Sequence, residues 1–310
     1  MVNIVLPEVS CLTAKEFLQA LSPLGEYFSS NDLNSPWLFR GQGRDYPLVP
    51  SLFRQGGKLT TLTQRNIAKY SELLLAERDV LTSFFKIADK RGLILPDDSQ
   101  DLRTSLEELS NDQMVGKRRG GTRITDSALS LMALAQHYGV PTRLLDWTRL
   151  PYVSAFFAAE DASRQITAMS SLEKLVVWAF YFPALGKQTL YGDDSYFIRG
   201  ITAPSASNPN LKAQQGVFTL VNPGATEERS GNFRYKPFDK ILEYYASGSS
   251  HEEWFLDCKI QKFILPASEA HNLLFLLAKM DITPSSIYPG YQNIITDMRN
   301  EIYFRLLSIK

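Results

Sequence analysis

Apolar and polar positions alternate along the chain in blocks of uneven length, and no regular strand-helix-strand rhythm emerges. Thr13-Ala14-Lys15-Glu16 has the spacing of a capping box ahead of Phe17, Leu18 and Leu21, so residues 1–30 form a helical lead-in that Pro23 shortens. Trp37 to Gln42 reads as an aromatic-rich strand running into a glycine loop. From Thr61 to Arg91 the positions Tyr70, Leu74, Leu81, Phe84, Phe85 and Ala88 fall near one face, the longest helical signal in the chain. Residues 96–125 are mostly polar and read either as a mobile insertion or as a short helix with a flexible tail.

The central stretch is denser in chemistry. Ala128, Leu129, Leu131, Met132, Leu134 and Ala135 mark a helix that Gly139 ends as a left-handed cap and Pro141 cannot continue. Thr142 to Thr148 alternates polar with apolar side chains and is too short for a helix, so it reads as a strand. Pro151 then suits the first turn of a helix bearing Tyr152, Val153, Ala155, Phe156 and Phe157. Leu175 to Phe182 is almost continuously apolar, as in a strand buried on both faces.

Gly186 to Asn210 reads as a long loop, Gln214 to Val221 as a strand, and 222–251 as irregular chain whose clustered aromatics, Phe238 among them, pack onto the body. Cys258 to Leu265 reads as a strand, Ser268 to Lys279 as a helix, and a last helix begins near Tyr291. These elements predict an α+β fold, residues 1–310 forming one domain around a mixed sheet that is not doubly wound, with flanking helices and large loop insertions.

Composition narrows the classes of function. The chain is 44% hydrophobic and 21% charged, and its 33 basic residues equal its 33 acidic ones, so no overall field draws it to nucleic acid or an anionic membrane. The 2 cysteines stand far apart and there are 3 histidines, which predicts reduced thiols and no metal site. The first residues lack a signal-peptide pattern, and no run approaches the ~20 apolar residues of a membrane span. A cytoplasmic protein without a membrane partner is expected.

Arg40, at a strand end before Gly41, can grip a phosphate or carboxylate with parallel hydrogen bonds, or pair with a buried carboxylate; Gly41 would let a ligand approach the backbone. His137, near a helix C-terminus whose dipole favours its charged form, can pair with Asp146 as base and orienter, or simply bond backbone. Thr148 can cap the helix opened by Pro151, with Asp146 satisfying nearby amides. Trp147, Phe156 and Phe157 read as core. The basic run from Lys117 to Arg123 is a solvated loop or a nucleic-acid contact.

The motifs WLFRGQ (Trp37 to Gln42), LVPSLFR (Leu48 to Arg54), QHYGVPTRLLDWT (Gln136 to Thr148) with AFFAA after it, and AQQGVF (Ala213 to Phe218) resemble, in order, those of the FRG-domain family. That family is named for the triplet found here as Phe39-Arg40-Gly41; its members are mostly bacterial and mobile-element proteins. A more distant resemblance links the same stretches to ADP-ribosyltransferases of the arginine-serine-glutamate class.

That resemblance implies an ADP-ribosyltransferase-like fold with NAD as substrate, Arg40 on phosphate and Thr148 on ribose. With that ligand, contacts are expected from Gly41, Gln42, Tyr138, Thr142, Arg143 and Gln215, and catalytic roles from His137, Asp146 and Gln214. Two positions depart from the pattern. Asp146-Trp147-Thr148 replaces a Ser-Thr-Ser motif, and Gln214-Gln215 stands where a glutamate would be; losing that carboxylate forfeits ~3 kcal/mol of electrostatic stabilisation. His137, Asp146, or the weaker candidates Glu227 and Glu228 can supply the missing group. A bacterial toxin or phage-defence effector acting on a protein or nucleic-acid acceptor is the implied role. The alternative is a binding module for a phosphate ligand or nucleic acid, without catalysis.

Overall fold

The computed structural model describes residues 7–28, 36–54, 70–110, 126–165, 173–182, 190–191, 196–202, 208–223, 235–246 and 259–307. Its strands are β1 (Glu8–Ser10), β2 (Trp37–Gln42), β3 (Leu144–Thr148), β4 (Lys174–Tyr181), β5 (Leu190–Tyr191), β6 (Tyr196–Ile201), β7 (Gly216–Pro223) and β8 (Lys259–Pro266). They form one mixed sheet in the order β1-β8-β4-β2-β3-β7-β6-β5, in which β1 and β8 run parallel and the other neighbours antiparallel. The fold is α+β.

Alternation along β4 builds the core on both faces. Leu175, Val177 and Ala179 join Phe17, Phe39, Phe156, Phe263 and Leu273, whereas Val176, Trp178 and Phe180 join Leu38, Trp147 and Phe238. The first face is covered by helices α1 (Ala14–Ala20), α5 (Pro151–Gln165) and α8 (Ala270–Ala278). The second carries α7 (Phe238–Ala246). Helices α2 (Tyr70–Lys90), α3 (Gln100–Ser110) and α4 (Asp126–His137) pack through a further cluster that includes Phe85, Leu102 and Leu131. Burying apolar side chains on both faces explains why β4 lacks a polar face.

The lead-in helix begins where the capping spacing places it. Thr13 Oγ1 accepts the Glu16 amide at 3.3 Å, but the Glu16 carboxylate takes the Leu12 amide at 2.9 Å, one residue earlier than a reciprocal box requires. The helix expected over 61–91 is α2, with 61–69 outside the described residues. In the polar segment 96–125, residues 100–110 are α3, with Leu102 and Leu106 buried; the basic run from Lys117 to Arg123 lies outside the described residues.

Three readings of the sequence are corrected. The long loop expected from Gly186 to Asn210 contains β5 and β6, because Tyr196 to Ile201 find their hydrogen-bond partners on β7. The irregular region 222–251 contains α7, which Phe238 anchors in the core. Gln214 is not strand. It ends α6 (Pro209–Gln214), whose N-cap is Asn208, and Gln215 turns the chain at φ 45° before β7 starts at Gly216.

Candidate functional site

Strands β2 and β3 sit side by side at the centre of the sheet but pair only at Phe39 and Thr148. Beyond that point they part, and a cleft of about 670 Å³ lies there. Arg40, Gly41, His137, Asp146, Thr148 and Gln214 all line it, together with Ser51, Arg54, Gln136, Phe157, Asn208 and Tyr288. Distant parts of the sequence therefore meet in one place.

Arg40 and Asp146 form its polar floor. Nη1 of Arg40 lies 2.6 Å from Oδ1 of Asp146 and donates to the Asp146 carbonyl at 2.8 Å. The Arg40 side chain is only 10% exposed, yet its Nε is buried without a hydrogen-bond partner. A buried guanidinium N–H without a partner is costly. Asp146 is the one residue of β3 that is exposed, its side chain at 59%, and among the described cleft residues it is the only carboxylate.

Loss of surrounding water opposes ionisation of Asp146, but the charge and hydrogen bond of Arg40, then the charge of Arg54, outweigh it and hold its pKa below the usual carboxylate range. Arg54 ends the LVPSLFR motif and donates from Nε to the Val49 carbonyl at 3.0 Å. Desolvation and the like charge of Arg40 push its pKa down, against Asp146 and Asp161. Two guanidinium groups thus share the attraction of Asp146.

His137 ends α4, and its Nε2 lies 2.8 Å from Nδ2 of Asn210. The expected pairing with Asp146 does not occur: Asp146 takes Arg40 and, at 3.2 Å, Gln136 Nε2. Partial burial pushes the His137 pKa below its ordinary value. Gly139 has φ 86° and releases α4 as the sequence predicts.

The Thr148 hydroxyl is engaged twice, donating to the Gln214 carbonyl at 2.5 Å and accepting from the Leu150 amide at 3.0 Å. The amide it takes belongs to the residue before α5 rather than to the helix itself, so Thr148 makes a local turn instead of the expected cap, and it ties the end of β3 to the end of α6. Gln214 in turn donates from Nε2 to the Ile287 carbonyl at 3.3 Å.

The other residues expected at the site stand apart from the cleft. Gln42 is buried and accepts from Trp178 Nε1 at 2.8 Å. Thr142 is buried and donates to Gln136 Oε1. Arg143 is 3% exposed and donates from Nε, at 2.6 Å, to Oε2 of Glu77, whose side chain is wholly buried. Oε1 of Glu77 takes the Arg143 amide at 2.8 Å, so the pair pins α2 to the start of β3. Tyr138 is exposed and meets His137 edge to face, and Gln215 is the exposed turn before β7.

Gly41 lines the cleft, but its lack of a side chain serves packing. A Cβ there would sit 1.9 Å from the Ser154 carbonyl oxygen, so only glycine lets α5 approach β2 this closely.

Ser51, Arg54, Gln136, Asn208 and Tyr288 line the cleft without having been singled out as site residues from the sequence. Ser51, Arg54 and Gln136 lie within family motifs, which was the available signal. Phe157 looked like core and is only partly buried, while nothing near Tyr288 marks it. Glu227 and Glu228 lie outside the described residues. Among the described residues no group of His, Cys, Asp and Glu is arranged to hold a metal ion, and no helix is long and apolar enough to cross a membrane.

The fold and the cleft define an α+β protein with a basic and aromatic pocket at the centre of an open sheet. The family model of the FRG domain matches residues 35–166, from just before β2 to the end of α5. No curated protein and no solved structure matches the chain.

Proposed function

We propose that the cleft binds a phosphate-bearing nucleotide, with NAD the first to test. The observation that carries this reading is the buried, unpartnered Nε of Arg40 beside a second guanidinium, Arg54. Guanidinium groups in a fork geometry match phosphate oxygens, and two of them line this one cleft. The cleft volume of about 670 Å³ is in the range of sites for small ligands.

Asp146 is the group in this reading that takes part in chemistry. Ionised, exposed and fixed by Arg40, it can accept a ribose hydroxyl or stabilise a positive charge developing at a glycosidic carbon. Transfer of ADP-ribose from NAD breaks the bond between ribose and nicotinamide and releases nicotinamide, to an acceptor that is a protein, a nucleic acid or water. Consumption of NAD would suit the toxin or phage-defence role that the family resemblance implies. Purified protein incubated with NAD and cell extract is expected to bind NAD and release nicotinamide, with Asp146→Asn retaining binding and losing release. Absence of NAD binding sinks the proposal.

A non-catalytic nucleotide-binding module is the second reading. It is favoured by the double engagement of the Thr148 hydroxyl within the fold and by an uncharged amide at Gln214. Binding of NAD without release of nicotinamide selects it.

A further inference from the structure

Tyr288 lies far outside the FRG segment, yet it lines the same cleft as Arg40 and Arg54. Its ring packs against Phe157 with centroids 6.0 Å apart and planes tilted by 53°. The backbone beneath it is fixed from several directions. Ile287 is 2% exposed in the core, and its carbonyl accepts from Gln214. The Tyr288 amide donates to the Pro284 carbonyl at 2.8 Å, and its own carbonyl accepts from Asn293 Nδ2 at 2.8 Å.

The turn that leads into it is held by Asp297 from the helix α9 (Tyr291–Leu307). Asp297 accepts from Thr283 Oγ1 at 2.9 Å, from the Ser285 amide at 3.3 Å and from the Ser285 hydroxyl. An aromatic side chain held this way offers a large contact face at little cost in conformational entropy.

The chemistry of the ring agrees with its placement. Burial first, then the charges of Glu160 and Asp146, push the Tyr288 phenol far above its ordinary pKa, with Arg164 opposing. The phenol stays neutral, a π face with one hydroxyl donor. Every nucleotide base and the nicotinamide ring present a flat π face that can stack on such a platform.

We infer that Tyr288, backed by Phe157, is the platform on which a ring of the bound nucleotide stacks, so that a residue outside the FRG segment sets the preference for ring-bearing over ring-free phosphate ligands. This rests on the nucleotide reading of the cleft. Arg40 and Arg54 hold phosphate alone; Tyr288 distinguishes what the phosphate is attached to.

Calorimetric titration of the full chain with inorganic pyrophosphate and with NAD tests it on the wild type, Tyr288→Leu and Tyr288→Phe. Tyr288→Leu should weaken NAD roughly 5- to 100-fold, the usual yield of one aromatic stack, and leave pyrophosphate binding unchanged. Tyr288→Phe keeps the π face and should keep most of the NAD affinity. Equal losses for both ligands in Tyr288→Leu, or no loss for either, overturn the inference while the phosphate site stands. Failure of the wild type to bind either ligand overturns the nucleotide reading, and the platform with it.

Discussion

Arg40 meets Asp146 through one guanidinium nitrogen, Nη1, which lies 2.6 Å from the carboxylate and 2.8 Å from the backbone carbonyl of the same residue. The contact spans two strands that pair at a single position, and it leaves Nε of Arg40 buried without a partner. Side chain and backbone of Asp146 are thereby fixed at the edge of the cleft.

Removing that guanidinium should act on binding more than on folding. Hydrogen bonds to charged groups are worth about 1.5–3 kcal/mol, so Arg40→Ala is expected to weaken pyrophosphate and NAD by roughly ten- to hundredfold. Arg40→Lys should not restore it, because an ammonium cannot reproduce the fork of donors. Titration calorimetry checks both variants, and wild-type affinity in Arg40→Ala would contradict the phosphate assignment.

Asp146 gives a pH dependence of definite sign. Its folded pKa is depressed, so its contribution to stability is present above the ordinary carboxylate pKa of about 4 and is lost as pH falls through the lower folded value. The wild type should therefore lose melting temperature more steeply below about pH 4 than Asp146→Asn, which has no charge to lose there. Parallel acid limbs in thermal melts of the two proteins would rule out this coupling to Arg40 and Arg54.

Arg143 should behave in the opposite way from Arg40. Its partner Glu77 is wholly buried, and breaking a buried ion pair from one side costs about 3–5 kcal/mol. Glu77→Ala and Arg143→Ala are each expected to lower the denaturation midpoint sharply. Any variant protein that stays folded should bind pyrophosphate with near wild-type affinity, since neither residue lines the cleft. Equilibrium urea unfolding and calorimetry together separate the two effects.

Much of the local structure was legible because it rests on neighbours in the chain. The cap at Thr13, the left-handed Gly139, the start of α5 at Pro151 and the two-faced apolar run of β4 are set by side-chain shape and period. β5, β6 and α7 were not legible, since β5 is held by β6, β6 by β7, and α7 by the core that Phe238, Ile241 and Leu242 enter. Gln214 was misplaced for a related reason: the Asn208-Pro209 start of a short helix was overshadowed by the apolar strand after it.

Of the expected site residues, Arg40, Gly41, His137, Asp146, Thr148 and Gln214 share the cleft, while Gln42, Tyr138, Thr142, Arg143 and Gln215 do not line it. Residue type announced chemistry at all of these positions. It did not say which arginine would be paired off in the interior, because Glu77 lies 66 residues from Arg143 and only folding brings them together. Nor did it say that His137 would face Asn210, or that Tyr288 would reach the pocket.

The sequence by itself determined the α+β class, most of the strands and helices, and the motifs that identify the FRG domain, because these depend on periodicity, caps and local residue order. Only the tertiary structure decided which polar groups are consumed by the fold and which remain open to a ligand. That choice depends on burial and on partners distant in the chain. Arg40 and Arg143 look alike in sequence, but one ends at the parting of two strands with a donor unmet, and the other is neutralised in the core.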